Sequence, residues 1–206
     1  MDKDAAEAYL QRLAPSKGVL AQMQARGEGA GFPIIGPLVG SLCAQWAQAV
    51  GARRVFEMGS GFGYSTAFFA KAVGPEGVVV HTEDSDELQA EAKEWLGRLR
   101  LRSRVEFEPG NAIETLRRRK GAWDVVFIDI EKEDYPQAWE VARHRVRTGG
   151  VIVTDNTLWQ GKVWDPKAKD AQTRGVREYT RLAFEDEGFA TTIVPLRDGV
   201  AVSLRL

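Results

Sequence analysis

One α/β domain with a mostly parallel sheet is the fold this sequence predicts. Three observations carry that expectation. Short apolar runs recur between helix-like stretches from Val55 to Thr154, the alternation that buries parallel strands between layers of helix. The run Val55-Phe56-Glu57-Met58 breaks into glycines at 59, 61 and 63 and then into a helix-like segment, a turn in which backbone can approach a ligand unhindered. Oxygen-bearing side chains (Glu83, Asp129, Asp155, Asn156) follow later runs directly, at the carboxyl ends where ligands of such sheets gather. The length of 206 residues suits one domain with a sizeable core, and no composition shift or long linker divides it.

Taken in order, residues 5–13 and 19–26 read as short helices separated by Pro15-Ser16-Lys17-Gly18. Their thin apolar faces suit either ordinary packing helices or a cap over a ligand site. From 36 to 50, Leu38, Leu42, Trp46 and Val50 recur every four residues and predict one stripe buried on the sheet. The single cysteine, Cys43, lies in this segment, cannot form an internal disulfide and reads as a buried structural thiol.

The glycine loop admits two ligand classes, and a tight turn that binds nothing is the bland alternative. A dinucleotide fingerprint has glycine at the first, third and sixth places, whereas here the third glycine falls at the fifth place and Tyr64 fills the sixth. With Glu57 two residues ahead of Gly59, the spacing resembles instead the acid-x-G-x-G-x-G loop of S-adenosylmethionine (SAM) methyltransferases.

Residues 65–72 predict the first crossover helix and 77–82 the second buried strand, which delivers Glu83. A carboxylate there can accept both hydroxyl hydrogens of a ribose; alternatively Glu83 belongs to the acidic cap of the next helix, a task that Asp84, Asp86 and Glu87 can perform. That helix carries the stripe Leu88, Ala92, Trp95, Leu96 and Leu99, and 104–107 is the third strand. Asn111 can meet an adenine edge, cap the helix at 112–119, or do both. The basic run 117–120 complements the end of that helix and needs no nucleic acid to explain it.

Residues 123–128 form a fourth buried strand ending in Asp129, followed by a helix expected at 134–146. The fifth strand, 151–154, ends in Asp155-Asn156. Two carboxylates and an amide at adjacent strand ends suit a hard divalent ion, and no cysteine or histidine lies nearby to favour zinc; a plain turn is the alternative for Asp155 and Asn156. Residues 157–172 carry Trp159 and Trp164, turn polar without a regular pattern, and read as a mobile lid. Residues 190–194 and 200–204 predict a closing hairpin around Pro195-Leu196-Arg197-Asp198-Gly199.

The glycine loop, the segment Val126-Phe127-Ile128-Asp129-Ile130-Glu131-Lys132-Glu133-Asp134-Tyr135, and Gly149-Gly150 through Asp155-Asn156-Thr157-Leu158-Trp159 together resemble the metal-dependent O-methyltransferases of the catechol and caffeoyl-CoA type. The resemblance runs from about Phe32 to the C-terminus. It implies a Rossmann-like class I SAM methyltransferase fold, with a seven-stranded, mostly parallel sheet closed by an antiparallel hairpin and helices on both faces. Residues 1–31 would be a helical cap and 32–206 the catalytic fold. By position it implies that Glu57, Gly59, Ser60, Ser65 and Asp129 hold the methionine end of SAM, Glu83 the ribose, and Asn111 with Ala112 the adenine. Asp129, Asp155 and Asn156 would bind magnesium, with calcium or manganese as alternatives. Lys132 matches the catalytic lysine, acting with Asp129 beside the reacting hydroxyl. Independently of the resemblance, Trp159 in the lid, next to the metal candidates, can wall a small aromatic acceptor by stacking or pack into the core beneath the loop. Ile130 departs from the family, which has a small residue or histidine there. Small relatives are often homodimers.

Charge and composition bound the rest. Twenty-eight basic residues against 29 acidic ones leave no field for a nucleic acid or an anionic membrane, so a small-molecule partner fits better. The charged N-terminus is no secretory signal and no apolar run is long enough to span a bilayer, so a soluble, cytoplasmic protein is expected. A nucleic-acid base methyltransferase would carry an Asn/Asp-Pro-Pro-aromatic tail after the fourth strand, unlike Asp129-Ile130-Glu131-Lys132. An NAD-dependent oxidoreductase or a SAM-binding module without turnover are the remaining alternatives.

Overall fold

The computed structural model describes residues 3–13 and 15–206. Helices α1 (Lys3–Leu13), α2 (Val19–Gly29) and α3 (Gly36–Ala49) precede an alternating unit: β1 (Arg54–Met58), α4 (Tyr64–Ala72), β2 (Val78–Glu83), α5 (Asp86–Arg98), β3 (Arg104–Pro109), α6 (Ala112–Arg118), β4 (Trp123–Ile128), α7 (Tyr135–Ala142) and β5 (Val146–Thr154). Helix α8 (Ala171–Glu185) and the strands β6 (Phe189–Val194) and β7 (Val200–Arg205) complete the chain. The strands form one seven-stranded sheet in the order β3-β2-β1-β4-β5-β7-β6, in which β7 runs against both of its neighbours. The architecture is the one the family resemblance implies.

Strand alternation divides the apolar side chains between two cores. Val55, Val79, Val125, Phe127 and Val153 share one with α3, α4 and α5, while Phe56, Met58, Val80, Val126 and Ile152 share the other with α6, α7 and α8. Because both faces are covered, the central strands are apolar at nearly every position. Among the described residues the fully buried polar exceptions on β1, β2, β4 and β5 are Glu57, His81, Thr82 and Thr154, of which Glu57 and His81 are the titratable ones.

Four expectations change. In α3 the buried stripe is Val39, Cys43 and Ala47, whereas Leu42, Trp46 and Val50 only flank the core. Small residues win the inner face because α3 lies close on α4: a side chain at Gly40 would collide with Phe68, at 2.6 Å. The helix expected at 134–146 is a 3-10 turn, Lys132–Asp134, running into α7, which ends at Ala142. Strand β5 begins at Val146, five residues earlier than the apolar run suggests, because Gly149 and Gly150 lie within it. Residues 171–185 are helical, with Asp170 as N-cap and Val176, Tyr179 and Ala183 on the buried face. The segment read as a patternless lid is therefore shorter and partly ordered: it contains a kinked 3-10 stretch, Trp159–Trp164, whose carbonyls are gathered by Arg177.

Candidate active site

The carboxyl ends of β1, β2, β4 and β5 converge where the strand order reverses around β1, the crevice in which open α/β sheets bind ligands. A cavity of about 470 Å³ opens there. Its wall includes the loop after β1, the ends of β2 and β4, the start of α6, the Asp155-Asn156 pair, and residues 32–35. The volume suits a small molecule of cofactor size.

Hydrogen bonds fix the loop to its neighbours. Ser60 N–H donates to the Thr82 carbonyl at 2.9 Å, Thr82 N–H donates to Ser60 Oγ at 3.1 Å, and Asp129 N–H donates to the Met58 carbonyl at 2.9 Å. Gly59 has φ +80°, and a Cβ there would collide with the Asp129 carbonyl. Glycine is thus required twice over, by conformation and by contact. Gly61 is held from two sides by β2: its N–H donates to Glu83 Oε2 at 2.9 Å, and its carbonyl lies 3.1 Å from His81 Nε2. Burial lowers the His81 pKa from 6.5 to about 4, so the ring is neutral and must carry its proton on Nε2 to donate to that carbonyl. His81 is not singled out in the sequence, where its only signal is a histidine ending the apolar run of β2 ahead of Thr82 and Glu83.

The remaining cofactor candidates fall around this loop. Glu83 lines the cavity and its other oxygen accepts from Ser85 N–H at 3.0 Å, which leaves lone pairs on both oxygens for further donors. Burial raises its pKa. Asn111 caps α6 through Oδ1, which accepts from Glu114 N–H at 3.0 Å; its amide nitrogen stays available, and both Asn111 and Ala112 line the cavity. Ser60 and Ser65 line it as well. Glu57 lies beneath them with no exposed surface, and neither of its oxygens has a hydrogen-bond partner of normal geometry. Burial raises its pKa to about 7, partly offset by the hydroxyls of Ser65, Thr66 and Ser60.

Asp129, Lys132, Asp155 and Asn156 meet on the far wall. Asp155 N–H donates to the Ile128 carbonyl at 3.1 Å, and the buried Tyr135 hydroxyl donates to the Asp155 carbonyl at 3.0 Å, so the end of β5 is pinned to β4 and α7. Asp155 is 5% exposed and its Oδ1 has no partner. Burial, then the charge of Asp129, raises its pKa. Lys132 Nζ lies 2.9 Å from Asp129 Oδ1 and faces the rings of Tyr135 and Trp159 at 5.2 and 5.8 Å. Trp159 stands behind Lys132, half-buried on the second core, and is not part of the cavity wall. Lys132 is itself positioned from behind: Gly175 of α8 packs so closely that a Cβ would collide with the Lys132 carbonyl.

The basic run at the end of α6 is engaged internally. Arg118 pairs with Glu108 at 2.7 Å and Arg119 with Glu106 at 2.6 Å, both on β3. Among the described residues no helix is long and apolar enough to cross a membrane.

Sheet order, reversed β7 and the cavity over the β1 loop together define a class I SAM-dependent methyltransferase. The family model for O-methyltransferases matches residues 35–206, and the chain belongs to that family. It is 31% identical over 205 residues to a Mycolicibacterium smegmatis relative that carries an O-methyltransferase name, covering 96% of this chain and 95% of the relative. The solved O-methyltransferase from Bacillus cereus in complex with SAH superposes with a TM-score of 0.88 at 27% identity, covering 98% of this chain and 97% of that one. TomG from Streptomyces achromogenes, an O-methyltransferase involved in tomaymycin synthesis and solved with SAM, gives 0.89 at 26% identity over 100% and 99% of the two chains. This membership removes the NAD-dependent oxidoreductase and the nucleic-acid base methyltransferase from consideration.

Proposed function

We propose that this enzyme transfers the methyl group of SAM to one hydroxyl of a small catechol-like or hydroxycinnamoyl-type aromatic acceptor, with a divalent ion, magnesium first, at Asp129, Asp155 and Asn156. The observation that carries the metal is the unpartnered, buried Oδ1 of Asp155 beside a second carboxylate. Lys132 already pairs with Asp129, but among the described residues Asp155 has no salt-bridge partner, and a buried carboxylate is costly unless a cation joins it. Among the described residues no three His, Cys, Asp or Glu side chains form a ready metal cage. The candidate set is two carboxylates and an amide, which leaves coordination places for water and acceptor oxygens, as magnesium requires.

SAM fits the loop side of the cavity. Glu83 would accept the ribose hydroxyls, and Asn111 Nδ2 with the Ala112 backbone would meet the adenine. Gly59, Ser60, Ser65 and Asp129 would hold the methionine end, over the unpartnered carboxylate of Glu57. A divalent ion supplies, when bound, positive charge that favours the deprotonated form of an adjacent hydroxyl. Lys132 then either takes the hydroxyl proton or, as an ammonium, holds the oxyanion in line with the sulfonium methyl. Transfer forms the oxygen–methyl bond, breaks the sulfur–methyl bond and leaves S-adenosylhomocysteine. Trp159 lies behind Lys132 and outside the cavity wall, so its indole would meet a planar acceptor only if the lysine side chain moved aside.

A screen of catechols, hydroxycinnamoyl thioesters and flavonoids with SAM and magnesium tests this reading. Methyl transfer to a member of these classes is expected. SAM binding with transfer to none would favour a binding module. We also propose a homodimer, for which α1 offers the exposed side chains Tyr9, Leu10 and Leu13; a monomer by light scattering at micromolar concentration would rule it out.

A further inference from the structure

One segment of the cavity wall and the chain just beyond another are tied to a single turn. Residues 32–35 line the cavity from the N-terminal side, and the chain after Asn156 leaves it on the other. The turn between β6 and β7, residues 195–199, reaches both. Arg197 Nη1 donates to the Ile34 carbonyl at 2.7 Å, and Arg197 Nε lies 3.3 Å from Glu7 Oε1 on α1. A side chain at Gly36 would collide with that guanidinium. In the opposite direction, Thr157 N–H donates to the Gly199 carbonyl at 2.9 Å, Leu158 N–H to the Asp198 carbonyl at 2.8 Å, and Gln160 N–H to Asp198 Oδ1 at 2.6 Å. A Cβ on Gly199 would collide with Leu158.

Backbone strain collects at the same junction. Among the described residues five non-glycine residues take positive φ, and four of them lie here: Asn156, Trp159 and Gln160 in the chain leaving the cavity, and Arg197 in the turn that holds it. Such conformations persist only where the surroundings over-determine them, and they cluster at ligand clamps. Arg197, at φ +51°, holds a conformation that glycine would adopt freely. A large cationic side chain kept there must act through its contacts, and those are with Ile34 of the cavity wall and Glu7 of α1.

We propose that the β6–β7 turn is a brace that sets the width of the acceptor mouth, and that Arg197 is a positioning residue for acceptor specificity. The proposal rests on the reading that this end of the cavity takes the acceptor. Arg197 holds residues 32–35 while Asp198 and Gly199 hold residues 157–160, the continuation of the cavity-lining Asp155-Asn156 pair, so three consecutive residues set the spacing between residues 32–35 and that pair. Among the described residues the loop after β1 receives no hydrogen bond from the turn, and its link to the braced segment is the edge-on packing of Phe32 against Phe62.

Three variants test this. Arg197→Ala removes the side chain and keeps the strained backbone, Arg197→Gly removes both, and Arg197→Lys keeps a single donor. The readouts are hydrogen exchange of residues 30–36, SAM affinity, acceptor KM, and the ratio of the two monomethyl products from a catechol. In the alanine and glycine variants exchange at 30–36 is expected to speed up at least about fivefold, the effect of losing one hydrogen bond. Acceptor KM should rise by a similar factor and the product ratio should shift, while SAM affinity stays within about twofold. The glycine variant should melt above the alanine variant yet show the same KM, separating strain from bracing. Lysine should restore part of both exchange and KM. Unchanged exchange at 30–36, or a KM and product ratio equal to the parent, would overturn the proposal. Should the parent methylate no acceptor, the functional reading fails, and the exchange measurement still decides whether Arg197 braces the wall.

Discussion

Lys132 Nζ sits 2.9 Å from Asp129 Oδ1 and 3.1 Å from the Ile130 carbonyl, so one 3-10 turn folds the amine back over the end of β4. The base or electrostatic group and the first metal-ligand candidate are thereby a single unit. Lys132→Met should lower kcat by about a hundredfold or more, the scale of a lost general acid or base, and leave SAM affinity unchanged in calorimetric titration. Full turnover in that variant would remove Lys132 from the chemistry.

Glu83 accepts the Gly61 N–H while facing the cavity. Glu83→Ala should weaken SAM by about 2 kcal/mol, roughly thirtyfold, since two ribose hydroxyls lose their acceptor and the loop loses an anchor. Acceptor KM at saturating SAM should hold. A SAM affinity equal to the parent's would sink the ribose assignment.

Glu57 and His81 oppose each other in pH. The folded pKa of Glu57 is raised from 4.5 to about 7, so its contribution to stability is present below 4.5 and is lost as pH rises through about 7, an amount of about 3 kcal/mol. His81 is depressed from 6.5 to about 4, so its contribution is present above 6.5 and is lost as pH falls toward 4. Relative to the parent, Glu57→Gln should gain melting temperature as pH rises from 4.5 to 7, and His81→Phe should gain as pH falls from 6.5. Parallel melting curves for parent and variant across those windows would show that neither group titrates as its burial demands.

Metal dependence has a readout apart from turnover. Chelator should abolish methyl transfer and magnesium restore it, with zinc a poor substitute. Magnesium should also raise the melting temperature of the parent but not of an Asp155→Ala variant. Full activity in excess chelator would leave Asp155 and Asn156 as a turn.

Trp159→Ala should raise the acceptor KM with SAM affinity little changed, if the lysine side chain moves aside and the indole walls the acceptor. A loss of melting temperature with unaltered KM would assign the ring to the second core, on which it also packs.

The strand ends were the legible part of this chain. Buried parallel strands read as apolar runs, and Glu57, Glu83, Asp129 and Asp155 each break or end one, so the polar residues that build the site announce themselves by contrast. Helix α3 was misread because large residues suggest core, whereas close helix packing selects Val39, Cys43 and Ala47. Helix α8 carried its own signals, the Asp170 cap and the spacing of Val176, Tyr179 and Ala183, but arginines and glutamates between them masked the stripe. His81 and Arg197 act through backbone carbonyls of distant segments, contacts that no local pattern encodes.

Gly175 gives the site a remote control point. The missing side chain there lets α8 lie directly on the Lys132 carbonyl, so the lysine inherits its place from a helix that lines no part of the cavity. A single methyl group added at 175 would act as an active-site lesion delivered from the rear: it would push the amine off register with Asp129 while every proposed ligand residue kept its identity. Inheritance of this kind makes the reactive geometry hostage to helix packing, and an engineer retuning the acceptor pocket would do well to leave the back of that turn alone.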